Sequence, residues 1–350
     1  MATKRKTAIK PAAKKSKRPA KKSKTRRSRR VWLLVLVLGV LAANIAYVLK
    51  NRRSAEVPIT ASVVQGIGSK GTGPGQLDGP RGMAVGPDGS VFVADLGNAR
   101  VAIFSADGSF KSSFGHLGEA GKGKPGEFNE PSGVAVAADG TVYVADSWNG
   151  RIQHLDAKGT PLGEWGGPRY AFYSPRNVAV DRQGIVYVAD TGNSVIKAIG
   201  PDGKIIKAMG GLGSGLGQFK EVFGLAVNSR GEIFGADPGN KKIHKFSAMP
   251  AGEPMKSIKV QGWVVNAPFW PHLAIDSADR VYAVDSGSRK VWVYNSDLQY
   301  LGTIGGAQGQ EIFASPLGIA FNAQNEMWVS DNANNKLMRL SPLAVPELKP

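Results

Sequence analysis

The sequence predicts an all-β fold, a six-bladed β-propeller, preceded by one transmembrane helix and a disordered basic N-terminal tail. Three observations predict it. First, the phrase Val91-Phe92-Val93-Ala94-Asp95-Leu96-Gly97-Asn98 recurs as Val142 to Asn149 and as Val186 to Asn193, with looser copies ending in Asp237, Asp285 and Asp331. The six aspartates stand 51, 44, 47, 48 and 46 residues apart, a period that reads as a propeller blade. Second, each phrase follows a short run of small and apolar residues such as Gly82-Met83-Ala84-Val85 or Gly133-Val134-Ala135-Val136, which suits the crowded centre of a ring. Third, Asp-Gly pairs such as Asp88-Gly89 and Asp139-Gly140 separate the apolar runs and mark hairpin turns.

Residues 1–30 hold 15 Lys/Arg and no acid, without apolar periodicity, which predicts a disordered tail on the cytoplasmic side. The sharper reading of that tail is an electrostatic contact with anionic lipid or nucleic acid. Residues 31–49 are uncharged and mostly apolar; as a helix they span about 28 Å, enough for a bilayer core. Three further bases (Lys50, Arg52, Arg53) follow. An uncleaved signal anchor is expected, with the propeller outside the membrane, periplasmic or extracellular. A cleaved signal is the rival, and Ser28-Arg29-Arg30-Val31-Trp32-Leu33 loosely resembles a twin-arginine signal. Residues 50–58 form a short linker. The chain has a net charge of +18, but residues 54–350 carry 27 basic and 27 acidic residues. The basicity therefore belongs to the tail, and the balanced propeller argues against nucleic acid as its ligand.

Residues 59–340 form the ring. Each unit reads as an inner strand, the phrase, a third strand (Val101 to Phe104, Ile152 to Leu155, Ile243 to Phe246) and a fourth. The sixth unit stops after its third strand near Leu340. A lone strand at about Ile59 to Gln65 is expected to complete it and to leave few open sheet edges. Residues 341–350, with three prolines, read as an irregular tail. There are no cysteines, which excludes disulfides and thiolate metal sites.

The linker Gly73-Pro74-Gly75-Gln76-Leu77 with its copies Gly126-Glu127-Phe128 and Gly217-Gln218-Phe219, followed by Pro-x-Gly-x-Ala-Val and Val-Ala-Asp-x-x-Asn-x-Arg, resembles the NHL-repeat family of six-bladed propellers over about residues 59–340. The name-giving triplet departs: Ala-Arg, Gly-Arg, Ser-Val and Lys-Lys follow Asn98, Asn149, Asn193 and Asn240. The resemblance includes sensor domains of bacterial membrane receptors, lyases and hydrolases that gather histidines at the channel mouth, and RNA-binding propellers. Function does not follow from such a fold.

The repeated aspartates, one per blade, read as carboxylates that stabilise turns. No cofactor is predicted, although a divalent cation at one or two of them stays open. Of four histidines, His154 and His244 fall on third strands and His116 in a linker. Only His272 stands at an inner-strand start, where four other units have glycine. One channel histidine cannot make a three-histidine zinc site, so His272 is at most a weak catalytic candidate. Gly66-x-Gly68-x-x-Gly71 and Gly118-x-x-x-x-Gly123-Lys124 mimic nucleotide-binding loops but lie in repeat linkers with no following helix.

The lead-in positions of the inner strands read Arg81, Ser132, Arg176, Phe223, Pro271 and Leu317, and Asn177 and His272 replace glycine one step later. Two linkers turn aromatic: one contributes Tyr170 and Tyr173, the other Trp263, Phe269 and Trp270. Arginine beside aromatic residues on one face suits a protein, peptide or glycan ligand, and gap filling between blades is the alternative. The sequence thus points to a membrane-anchored, extracytoplasmic binding and scaffolding module with Arg81, Arg176, Asn177, His272, Tyr170, Tyr173, Trp263, Phe269 and Trp270 as candidate contacts. A propeller lyase or hydrolase acting at the channel through His272 and an RNA-binding propeller are the alternatives.

Overall fold

A computed structural model describes residues 57–119, 123–263, 270–305 and 311–345. Six four-stranded antiparallel sheets make the blades. Blade 1 runs Pro80–Val85, Val91–Asp95, Arg100–Phe104 and Phe110–Phe114; the inner strands of blades 2 to 6 are Pro131–Val136, Pro175–Val180, Leu225–Val227, Leu273–Ile275 and Pro316–Phe321. The last blade is closed by the chain's first described strand: Val63–Ile67 pairs antiparallel with Lys336–Leu340, with Ile67 opposite Leu337. This is the closure the sequence predicts, shifted a few residues from the expected strand. Sharing one sheet between the two ends of the domain removes a free edge.

The core is not central. It is distributed among the junctions, where alternate residues of neighbouring sheets interlock. Between blades 6 and 1, Leu77, Val91, Val93 and Phe104 pack on Trp328 and Leu337. Between blades 3 and 4, Tyr187 and Ile196 pack on Phe219 and Ile233. Strands buried on both faces explain why the recurring phrase is so uniformly apolar. At Gly82 and Gly318 the inner strands approach their neighbours too closely for side chains: a Cβ on Gly82 would lie 2.6 Å from the Ser132 carbonyl oxygen, and one on Gly318 would collide with the Arg81 carbonyl.

The repeated aspartates are fully or almost fully buried and serve as knots between turn and linker. Asp146 Oδ1 accepts from the Asn129 backbone N–H at 2.7 Å, while Oδ2 accepts from Asn149 Nδ2 at 2.9 Å and Arg151 Nε at 2.9 Å. Asp95 does the same with Asp78, Asn98 and Arg100. The carboxylate joins its own blade's second-to-third turn to the linker arriving from the previous blade. That is the turn-stabilising role expected, and Asp190, Asp237 and Asp331 likewise accept from backbone N–H groups of their incoming linkers.

Among the described residues no helix is long and apolar enough to cross a membrane. The expected tail, anchor and most of the linker, residues 1–56, lie outside the described residues, as does Phe269.

Candidate ligand-binding site

The inter-blade linkers and the second-to-third turns lie at one end of the channel, where the inner strands begin. There Arg81 of blade 1 and Arg176 of blade 3 converge on Trp270, which leads into blade 5. The Arg81 Cζ lies 3.8 Å from the indole centroid and the Arg176 Cζ 4.7 Å. Phe223, leading into blade 4, stacks with the same indole at 5.6 Å and 14°. Arg176 Nη1 also donates to Glu130 Oε2 at 3.2 Å. Arg81 has no such partner among the described residues, and its Nη1 is enclosed with no acceptor. Burial and the neighbouring Arg176 hold the Arg81 guanidinium at about 10, against an opposing pull from Glu130. Two cations thus share one carboxylate.

Directly below, the two inner-strand residues that replace glycine meet each other. Asn177 Nδ2 lies 2.6 Å from His272 Nδ1. Because Asn177 Oδ1 accepts from the Val178 backbone N–H, the amide nitrogen faces the ring, so Nδ1 accepts and the proton sits on Nε2. The imidazole also reaches blade 1, since its Cε1 would lie 2.9 Å from a Cβ on Gly82. This pair closes the linker end of a channel cavity of about 190 Å³ lined by all six inner strands. Burial, then the Arg81 charge, push the His272 imidazole down to about 3. It is neutral at physiological pH and a poor proton acceptor. Among the described residues no three His, Asp or Glu side chains converge as a metal site requires.

The other expected contacts separate. Tyr170 is buried between blades 2 and 3, and its hydroxyl donates to the Gly203 carbonyl at 2.7 Å. Trp263 is buried between blades 4 and 5, and its Nε1 donates to the Val284 carbonyl at 3.1 Å. Both fill the space left where a linker changed length, which is the packing alternative. Tyr173 is 67% exposed on the linker face. Two neighbours of the site were not among the expected contacts. Glu130, the Arg176 partner, had one signal: it precedes Pro131 where Gly79 precedes Pro80 in blade 1. Trp148, 61% exposed, had one: it stands where Gly97 and Gly192 stand in the neighbouring copies.

Comparison with known proteins agrees with this architecture. The NHL repeat profile matches residues 77–104 and 128–155. The chain thus folds as a six-bladed β-propeller in which these two stretches match the NHL repeat. Peptidyl-glycine alpha-amidating monooxygenase B of Xenopus laevis is 39% identical over 82 residues, 23% of this chain and 9% of that protein. Human tripartite motif-containing protein 2 is 39% identical over 59 residues, 17% of this chain and 8% of that protein. The matched stretches thus span less than a tenth of either curated relative. Among solved structures, a gluconolactonase of Xanthomonas campestris superposes with a TM-score of 0.57 at 17% identity, covering 84% of this chain and 99% of that one. A streptogramin B lyase superposes with a TM-score of 0.54 at 16% identity, covering 82% and 98%. At such identities the likeness is one of fold.

Proposed function

We propose that this propeller is a binding and scaffolding module, held on the outer face of a membrane by its N-terminal segment, and that a protein or peptide ligand docks at the linker-side mouth. One observation carries the reading: Arg81, Arg176, Phe223 and Trp270, from four different blades, converge on one spot with more cationic than anionic charge. Stacked guanidinium and indole groups are the side chains most often found to dominate protein interfaces. Exposed Trp148 and Tyr173 extend the apolar area over neighbouring blades. The uncharged run over 31–49 and the bases on either side of it support the anchor.

An acid–base role is less well supported. His272 is held neutral, and its Nδ1 is engaged by Asn177. The lyase and lactonase neighbours share only the fold. RNA is disfavoured by the balanced charge of 54–350.

The test is a peptide array probed with the detergent-solubilised full chain and with Arg81→Ala, Arg176→Ala and Trp270→Ala. Spots retained by the parent chain and lost in all three variants are expected. Retention that ignores all three removes the mouth as the binding face. Protease added to cells stripped of any outer membrane should digest the propeller, and protection there that is lost on lysis would overturn its placement.

A further inference from the structure

We infer that the group this mouth reads is a carboxylate on a peptide, and that Arg81 is the residue that takes it. The inference rests on the binding reading above and adds the chemistry of the ligand. Arg81 and Arg176 bring two positive charges to one indole. Among the described residues Glu130 is the one carboxylate engaged, and it pairs with Arg176. His272 adds no charge, since it is neutral. The surplus is therefore one positive charge, which a single carboxylate neutralises and a phosphate dianion exceeds.

The donor geometry agrees. A guanidinium keeps its N–H groups in its own plane, and a planar carboxylate matches that edge with two parallel hydrogen bonds. No carboxylate pairs with Arg81 among the described residues, and its enclosed Nη1 has no acceptor there. An enclosed guanidinium N–H without an acceptor is unfavourable, so a ligand that supplies one gains more than it would in water. Because Nη1 is enclosed, a ligand reaches it only when the side chains packed over the guanidinium move aside. Glu130 is an internal competitor. It occupies Arg176 and reduces the field that a second carboxylate feels. Its backbone has φ 54°, where the equivalent residue before the blade 1 inner strand is Gly79 with φ 64°. A charged residue stands in a conformation that favours glycine, with its carboxylate on the site's second arginine.

Calorimetry on the detergent-solubilised full chain tests this with four acetylated peptides built on Ala-Phe-Ala-Ala. One has a free C-terminal carboxylate, one is amidated, one is amidated with glutamate replacing the last alanine, and one is amidated with phosphoserine there. The free-acid peptide, the glutamate peptide or both should bind at least tenfold more tightly than the neutral amide. Which of the two does so tells a C-terminal from a side-chain carboxylate. Arg81→Gln should remove the preference. Glu130→Gln should strengthen carboxylate binding about three- to tenfold, a gain that misfolding cannot produce. Equal binding of acid and amide, tighter binding of the phosphoserine peptide, or weaker binding in Glu130→Gln would each overturn the carboxylate. If all peptides bind alike and Trp270→Ala abolishes binding, the carboxylate fails while the binding mouth stands. If none binds, both fail.

Discussion

The side chains of Asn177 and His272, 95 residues apart in sequence, meet at the axis with Nδ2 to Nδ1 at 2.6 Å and tie the third blade to the fifth. Elsewhere around the channel the same position is glycine, as at Gly82, Gly133, Gly224 and Gly318. The pair thus fills the gap the glycines create and makes a floor beneath Arg81, Arg176 and Trp270.

This floor predicts an acid-sensitive ring. His272 is pushed down to about 3 in the folded chain by burial and by Arg81, and it returns to its ordinary value near 6.5 when unfolded. Between those values the unfolded chain holds the proton and the folded chain does not. Stability therefore rises with pH across that window and is lost as pH falls. At pH 5 the loss is about 2 kcal/mol. Urea unfolding at pH 7.5 and pH 5 should show it, and His272→Gln, which keeps an acceptor for Asn177, should show a smaller fall. An equal fall in both chains would remove His272 as the cause.

The aspartate knots predict a graded series. Asp146 is buried and holds Arg151, itself buried, so Asp146→Asn strands a cation that, among the described residues, keeps only Glu164 as an ionic partner. Asp331 accepts from the Ala314 and Ser315 backbone N–H groups and from Asn334, all neutral donors. Asp146→Asn should destabilise by about 3 kcal/mol and Asp331→Asn by about 1 kcal/mol. Thermal unfolding of the two variants measures the order, and the reverse order would contradict the role given to the buried arginine.

The ring was legible because a propeller writes its architecture into every blade. The Val-Ala-Asp phrases, the Asp-Gly turns and the lone strand before blade 1 are local signals, and each repeats or completes another. The mouth was partly legible for the same reason. Arg81, Arg176, Asn177 and His272 stood out as departures from a regular pattern. Which departures meet is a property of ring geometry, which brings the starts of blades 1, 3 and 5 together without leaving a mark in sequence spacing. The aromatic linkers show the limit. Tyr170, Trp263 and Trp270 look alike in sequence, yet two fill junctions and one roofs the mouth, because linker length decides whether a ring reaches a gap between blades.

Glu130 predicts a difference between two small replacements. In its left-handed conformation a Cβ is unfavourable by about 1 kcal/mol, and glycine removes that strain. Both Glu130→Ala and Glu130→Gly lose the ion pair with Arg176, so their difference isolates the backbone. The glycine variant should be the more stable by about 1 kcal/mol in urea unfolding. A more stable alanine variant would mean that the backbone relaxes out of this conformation.

Gly318 carries the last prediction, because it tests how closely the axis governs the mouth. A Cβ there collides with the Arg81 carbonyl and would lie 2.8 Å from Ser330 Oγ. That hydroxyl accepts from the Gly318 N–H and donates to the same Arg81 carbonyl, both at 2.7 Å. The clash is with backbone in a closed ring, so it cannot be relieved by a rotamer change. Gly318→Ala should destabilise by about 3 kcal/mol, the upper range for overpacking. Gly140→Ala is the control: its φ of 85° disfavours alanine, but nothing lies within 4 Å of the added carbon, so about 1 kcal/mol is expected. The two variants should also part at the mouth. Moving the Arg81 backbone shifts its guanidinium off Trp270, so any ligand that depends on Arg81 should bind Gly318→Ala more weakly and Gly140→Ala unchanged. Binding that survives in a folded Gly318→Ala chain would show that the stack tolerates a displaced first blade.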